Sequence, residues 1–283
     1  MDPVQWCKDR LWVPHNPISA SLLFVAKEQQ MPILALRAVH SELAQIAELS
    51  HEPGLAHAKL NWWREAFMQQ HTHPALEALD VLKVREKLPM PQVMALCDAI
   101  EQSLEAPRYE TNERAWQSCQ ALGGVALELE VQMLSATPPS GASVEAIQDL
   151  GAANYWLRLV RDIGADARQG RWFVPLEMQA RHQINRQQVV DGVGGLDWDG
   201  FIGALVSEAT NRLIRAEAQL HAALGPGMVH AMITAALDQR LAKQLTRAPS
   251  RLLRERILPS HTGNVWAAWR QARRCQSRLR SGR

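Results

Sequence analysis

The chain has 283 residues, 47% apolar and 21% charged, which is ample for a sizeable buried core. A net charge of +2 gives no case for nucleic-acid binding, and no apolar run approaches the ~18 residues of a membrane-spanning helix. The four cysteines, Cys7, Cys97, Cys119 and Cys275, have no CxxC spacing, which argues against a zinc site or disulfide scaffold and suits a reducing cytoplasm.

The opening MDPVQWCKDRLW has no charged start followed by an apolar h-region, so no secretory signal is expected. From Met31 to Leu49, Ile33, Leu34, Leu36, Val39, Leu43, Ile46 and Ala47 recur at three- and four-residue steps, which predicts a helix with one buried face. Pro32 is expected in its first turn. A second helix is predicted over about 54–70, turning Leu60, Trp63 and Phe67 to the core, with one of Trp62 and Trp63 buried and the other partly exposed. His71 and His73 read as surface loop residues, since HxH without a third ligand is a weak metal signal. Further helices are predicted over 74–86, 91–105 and 114–134. In the last of these, Gly123 and Gly124 permit a kink or a close helix crossing. After the turn TPPSG at 137–141, a long helix runs from about Ser143 to Ala167. Shorter elements follow, including a helix at 186–191. Longer helices are predicted over about 201–224, 228–245 and 263–280. GVGG at 192–195 lacks both the spacing and the preceding strand of a dinucleotide fingerprint. Alternating runs are rare, so no sheet is expected, and a single all-α domain over residues 1–283 is the economical reading. The arginines of the final segment, Arg270, Arg273, Arg274, Arg278, Arg280 and Arg283, occur with no acid among them. They fit a solvated terminus first, and contact with anionic lipid headgroups second.

The chemistry concentrates in 151–178. Asp162 and Asp166 are four residues apart in a helical stretch, so both carboxylates share one face. Arg158, Arg161, Arg168 and Arg171 surround them. Carboxylates that hold Mg²⁺, beside guanidinium groups that hold phosphate, suit a diphosphate bridged by metal. The same spacing also describes a solvated face carrying ordinary salt bridges.

The string RDIGADARQGRWFVPLE resembles the second aspartate-rich segment of the squalene/phytoene synthase family, usually RDVGEDARRGRIYLPLE. SLLFVAKEQQMPILALRAVHSELAQIAEL, AKLNWWREAF and HPALEAL are similar to further blocks of that family, in order, over roughly 17–178. The resemblance implies an isoprenoid-synthase-like helical bundle around a central cavity, prenyl diphosphate ligands and Mg²⁺. It also implies Asp162, Asp166 and Glu48 as metal ligands, with Arg158, Arg161, Arg168 and Arg171 on the diphosphate.

Against the family pattern, the first acidic motif, usually CREIDDIVDE, reads HSELAQIAE here. Its leading aspartates become Ala44 and Gln45, its arginine becomes Ser41, and Glu42, Gln45 and Glu48 remain as its remnant. Tyr155 and Arg158 replace an amide pair, Phe173 replaces a tyrosine, and Gln117 falls near another tyrosine position. His40 takes the family's cysteine place and reads as a packed core histidine. A metal cluster needs carboxylates on both walls of a cavity, and losing one electrostatic element can cost about 10²–10³ in rate. The run ALRAVHSELAQIAE is similar to a divergent branch of the family, the mitochondrial complex I assembly-factor proteins, which also lack the first aspartate pair. Two expectations follow from these resemblances. One is a non-catalytic or repurposed member binding an isoprenoid-like lipid or a protein partner, cytoplasmic or peripheral at a membrane. The other is an active Mg²⁺-dependent prenyl transferase making a squalene- or phytoene-like product.

Overall fold

A computed structural model describes residues 2–49, 52–69, 72–105, 108–135 and 138–281, apart from the side chains of Glu48, Leu49, Pro53 and Pro226. The described residues form helices and no strands. In chain order the helices are α1 (Pro3–Leu11), α2 (Pro17–Leu22), α3 (Lys27–Leu49), α4 (Pro53–Met68), α5 (Pro74–Val81), α6 (Met90–Leu104), α7 (Asn112–Cys119) and α8 (Val125–Leu134). They continue as α9 (Ala142–Arg168), α10 (Leu176–His182), α11 (Arg186–Val190), α12 (Trp198–Ala222), α13 (Val229–Arg247) and α14 (His261–Ser281).

Local chemistry sets many of the boundaries. Asp2, Asn16 and Thr111 accept backbone N–H bonds at the starts of α1, α2 and α7, and Asn185 with Gln188 forms a capping box on α11. The short helices α1, α2 and α10 have too few residues to show a period, so the sequence pattern does not reveal them. α3 begins a turn earlier than its apolar pattern, so Pro32 lies inside the helix rather than in its first turn. The basic C-terminal segment is helical through Ser281, and Arg283 lies outside the described residues.

α9 lies at the centre. Its buried side chains, among them Leu150, Trp156, Leu157, Val160 and Ile163, meet α12, α13 and the α7–α8 arm. Trp156 is fully buried, and its indole N–H donates to the Leu205 carbonyl at 2.9 Å, so burying this large ring leaves no orphan donor. α7 and α8 are one helix interrupted by a π turn at Gln120–Gly124. At that turn Gly123 faces Gly151 so closely that a Cβ on either would meet the other's backbone carbonyl. The glycines therefore give a close crossing, at a π turn. α3 packs on the other side of the molecule against α1, α4, α5 and α6. Trp63 is buried there and Trp62 is half-buried, edge-on to each other at 5.4 Å.

His73 departs from the loop expectation. Its Nδ1 accepts the Ala75 N–H at the start of α5, and its ring packs among Trp6, Trp62 and Trp63. An imidazole that caps a helix and lies among aromatic rings is a structural element, which HxH spacing alone could not reveal. His71 lies outside the described residues.

Candidate functional site

Between α3 and α9 lies a cavity of about 370 Å³, closed from the sides by α6, α7, the π turn and the stretch 169–173. Asp162 and Asp166 point into it from α9, with Arg158, Tyr155 and Leu159 on the same wall.

The end of α9 explains how the arginines reach these acids. Gly170 has φ +83°, the left-handed conformation that ends a helix cheaply only in glycine. The Arg171 N–H then donates to the Asp166 carbonyl at 2.8 Å and the Gly170 N–H to the Ala167 carbonyl at 3.2 Å, the paired bonds of a Schellman ending. That reversal returns the Arg171 guanidinium to the Asp166 carboxylate. Gly164, between the two acids in sequence, leaves room for the 3₁₀ turn Pro249–Leu253 to lie against α9. Beyond that turn, Arg256 Nε reaches Asp162 Oδ1 at 2.9 Å. Asp162 also takes both guanidinium bonds of its neighbour Arg161, at 2.8 and 2.6 Å.

Both carboxylates are thus held by guanidinium groups. Burial raises the Asp166 carboxyl above its usual range, and Arg171 only partly offsets this. Arg158 and Arg171 line the cavity, whereas Arg161 reaches it only through Asp162, and Arg168 turns away to donate to the Leu253 carbonyl at 2.7 Å. Arg256 is a cavity residue that the sequence did not reveal. It lies almost a hundred residues from Asp162 in a segment whose likeness to the family is one of character only.

The facing wall carries no carboxylate among the described residues. His40, Ala44 and Ala47 present it from α3. Glu42 points elsewhere, pairing with Arg10 at 2.7 Å, and Gln45 donates its amide to Ser41 at 3.2 Å. Glu42 and Gln45 therefore face α1 and their own helix, because the helical step that aims Ala44 and Ala47 inward carries these two off the face. The Glu48 side chain lies outside the described residues. His40 lines the cavity rather than lying sealed in the core. Burial, with Arg37 and Arg158 nearby, pushes its imidazole down to about 3, so it stands neutral and hydrogen-bonded to the Leu122 backbone in the π turn. Gln117 is exposed, while Ser118 beside it faces the cavity and accepts the Tyr109 hydroxyl at 2.8 Å. Trp62, Trp63, Arg64 and Glu65 do not line it, and Arg64 instead spans to Asp98 and Glu101 on α6.

No group of three or more His, Cys, Asp or Glu suited to a metal occurs among the described residues. Among the described residues the carboxylates at the cavity are the two of one wall, already engaged by arginines, and these alone do not fit a cluster of divalent ions, which needs oxygens from both sides.

Behind His40 the core holds a charged group. Glu130 on α8 meets Arg37 at 3.0 Å and His230 at 3.2 Å. Burial opposes its ionisation, but Arg37 and His230 outweigh that and hold its carboxyl below the usual value. Asp238 on α13 accepts the Asn154 amide at 2.7 Å, yet burial pushes its carboxyl up to about 7. Between the unfolded value of about 3.9 and that raised one, the folded chain keeps a proton that the unfolded chain has lost. This contribution to stability is complete below about pH 4 and disappears as pH rises through 7. Asp238→Asn is therefore expected to flatten the melting-temperature profile between about pH 4 and 7, gaining on the parent toward neutrality. Thermal shift across buffers checks this, and parallel profiles would refute it.

Comparison with known proteins agrees with this architecture. A phytoene synthase from Zea mays (number 3, chloroplastic) is 25% identical over 118 residues, 40% of this chain and 28% of that protein. Another, from Daucus carota, is 26% identical over 118 residues, 40% of this chain and 30% of that one. The matched stretch thus spans under a third of each relative. Among solved structures, a dehydrosqualene synthase in complex with ligand superposes with TM-score 0.74 at 14% identity, covering 99% of this chain and 97% of that one. Squalene synthase HpnC from Alicyclobacillus acidocaldarius gives 0.71 at 16% identity, covering 87% and 93%. These structural likenesses establish the isoprenoid-synthase-like helical bundle. The family model described as squalene/phytoene synthase matches residues 17–262, from the start of α2 into α14. The chain belongs to the squalene/phytoene synthase family.

Proposed function

We propose that the cavity binds one anionic isoprenoid-like lipid, its phosphate groups held directly by Arg158, Arg171 and Arg256, and that the chain does not catalyse head-to-head condensation. The observation that carries this reading is the asymmetry of the walls. Asp162 and Asp166 are neutralised by Arg161, Arg256 and Arg171, while His40, Ala44 and Ala47 face them. Guanidinium groups outnumber carboxylates around the acids, so an anion is attracted without added metal. Part of the remaining lining, Ile100, Leu104, Leu122 and Phe173, is apolar and suits a hydrocarbon chain. A volume of about 370 Å³ lies near the low end of ligand pockets, ~300–1,000 Å³, and favours one ligand over two. Binding without turnover fits a repurposed role such as that of the assembly-factor branch, in which the loaded protein meets a protein partner.

The test is titration of the purified protein with farnesyl diphosphate, with Mg²⁺ and with chelator, while released diphosphate is measured. Saturable binding in chelator, weakened in Arg171→Ala, with no diphosphate release, is expected. The second reading, an active Mg²⁺-dependent prenyl transferase, rests on the retention of both α9 acids at the cavity. Mg²⁺-dependent diphosphate release that disappears in Asp162→Asn would establish it and overturn the first.

A further inference from the structure

α14 carries a surface that neither the cavity nor the core accounts for. Its buried side chains, Asn264, Ala268, Gln271, Ala272 and Cys275, form one stripe that packs on α13 and α2. At about 100° per residue, Trp266, Trp269, Arg270, Arg273 and Arg280 all fall on the opposite side, within an arc of about 100°. All of these are exposed. Trp266 is 58% and Trp269 41% exposed, and the two indoles stack on each other at 4.8 Å with 28° between their planes. Two large aromatic rings side by side in water are an unusual use of tryptophan in a chain that buries Trp116, Trp156 and Trp198.

The charge around them has one sign. Residues 261–281 include no Asp or Glu, and no ion pair to Arg270, Arg273 or Arg280 occurs among the described residues. The pattern continues toward the cavity. Arg256, which lines the cavity, is followed two positions later by Leu258, 53% exposed, three residues before α14 begins. Indole rings favour the headgroup level of a bilayer, and arginines beside them meet lipid phosphates. No helix of the described residues is long and apolar enough to cross a membrane. The arrangement is that of a helix lying on one.

We propose that α14 docks the protein on an anionic bilayer, with Trp266 and Trp269 entering the interface and Arg270, Arg273 and Arg280 meeting the headgroups. Positive charge on the face and negative charge on the membrane select this occupant over an apolar protein groove, which would not favour a row of unpaired guanidinium groups. The docked helix sets the Leu258 side of the chain against the surface from which an amphiphilic ligand would come. The docking does not depend on what the cavity binds.

The test is co-sedimentation of the full chain with phosphatidylcholine vesicles, with and without phosphatidylglycerol, at low and high salt. Binding to the mixed vesicles that falls with salt is expected, with little binding to phosphatidylcholine alone. Removing one arginine near an anionic surface weakens binding by about fivefold, so Arg270→Gln with Arg273→Gln is expected to lose on the order of twentyfold. Trp266→Ala with Trp269→Ala is expected to lose binding even at low salt while keeping the parent's melting temperature, since both rings lie outside the core. Equal binding by parent and both variants, or no binding to anionic vesicles, would overturn the proposal. So would a dimer in analytical ultracentrifugation that the tryptophan variant abolishes, since the face would then belong to a second copy.

Discussion

Glu130→Ala is expected to lower the melting temperature on the order of 6–12 °C, more than any cavity substitution. Glu130 is 1% exposed and sits between Arg37 and His230. Removing one member of a buried ion pair costs about 3–5 kcal/mol, because the partner charge stays desolvated without its counter-ion. Arg37 retains some solvent access, with 19% of its side chain exposed, which places the loss near the lower end, about 3 kcal/mol. For a chain of this size each kcal/mol moves the midpoint by about 2–4 °C. Replacing both partners together, Arg37→Met with Glu130→Leu, is expected to recover most of the loss, since an apolar pair of similar volume needs no desolvation. Differential scanning fluorimetry of the three proteins decides the matter. A single-variant shift under about 2 °C would show that the pair is well hydrated.

The position of that pair bears on the cavity. Arg37 lies one turn before His40 on α3, and it helps hold the His40 imidazole neutral. A neutral histidine at the wall adds no positive charge, so in the proposed binding mode the attraction of an anion rests on Arg158, Arg171 and Arg256.

The helical class and the long elements were legible in the sequence, because three- and four-residue apolar spacing sustained over many residues suits a helix and no strand. α9 shows this well, since its predicted span of about Ser143–Ala167 differs from the observed Ala142–Arg168 by one residue at each end. The charged wall of the cavity on α9 was legible too. Asp162, Asp166, Arg158 and Arg171 share a helix and its Schellman ending, so short-range spacing located them. Arg256 was not, since its approach depends on a long-range contact that only the absence of a side chain at Gly164 permits. Nor was Tyr109, which reaches the cavity from a stretch before α7 with no periodic pattern. Glu42 illustrates the converse. Its place in the motif is preserved, but its side chain serves Arg10, because one helix can offer only one face to a cavity.

Ala44→Asp puts the asymmetry of the walls to a direct test. In the family pattern this position carries the first aspartate of the missing motif, and here Ala44 faces the cavity opposite Asp162 and Asp166. An added carboxylate would stand close to the phosphate groups of a bound lipid. Two like charges about 8 Å apart at an effective dielectric constant of about 20 repel by about 2 kcal/mol, or roughly thirtyfold in affinity. In chelator the variant is therefore expected to bind farnesyl diphosphate roughly thirtyfold more weakly than the parent. Mg²⁺ is expected to restore it, since the new oxygen with those of α9 gives a divalent ion donors from both sides. The parent, with arginines already on its acids, is expected to change by less than about threefold between chelator and Mg²⁺, because a cation must displace guanidinium groups before it gains oxygens. Calorimetric titration of both proteins under both conditions gives the four affinities. A parent as dependent on Mg²⁺ as the variant would mean that the α9 carboxylates release their arginines to metal, and the arginine-only account of the cavity would fail.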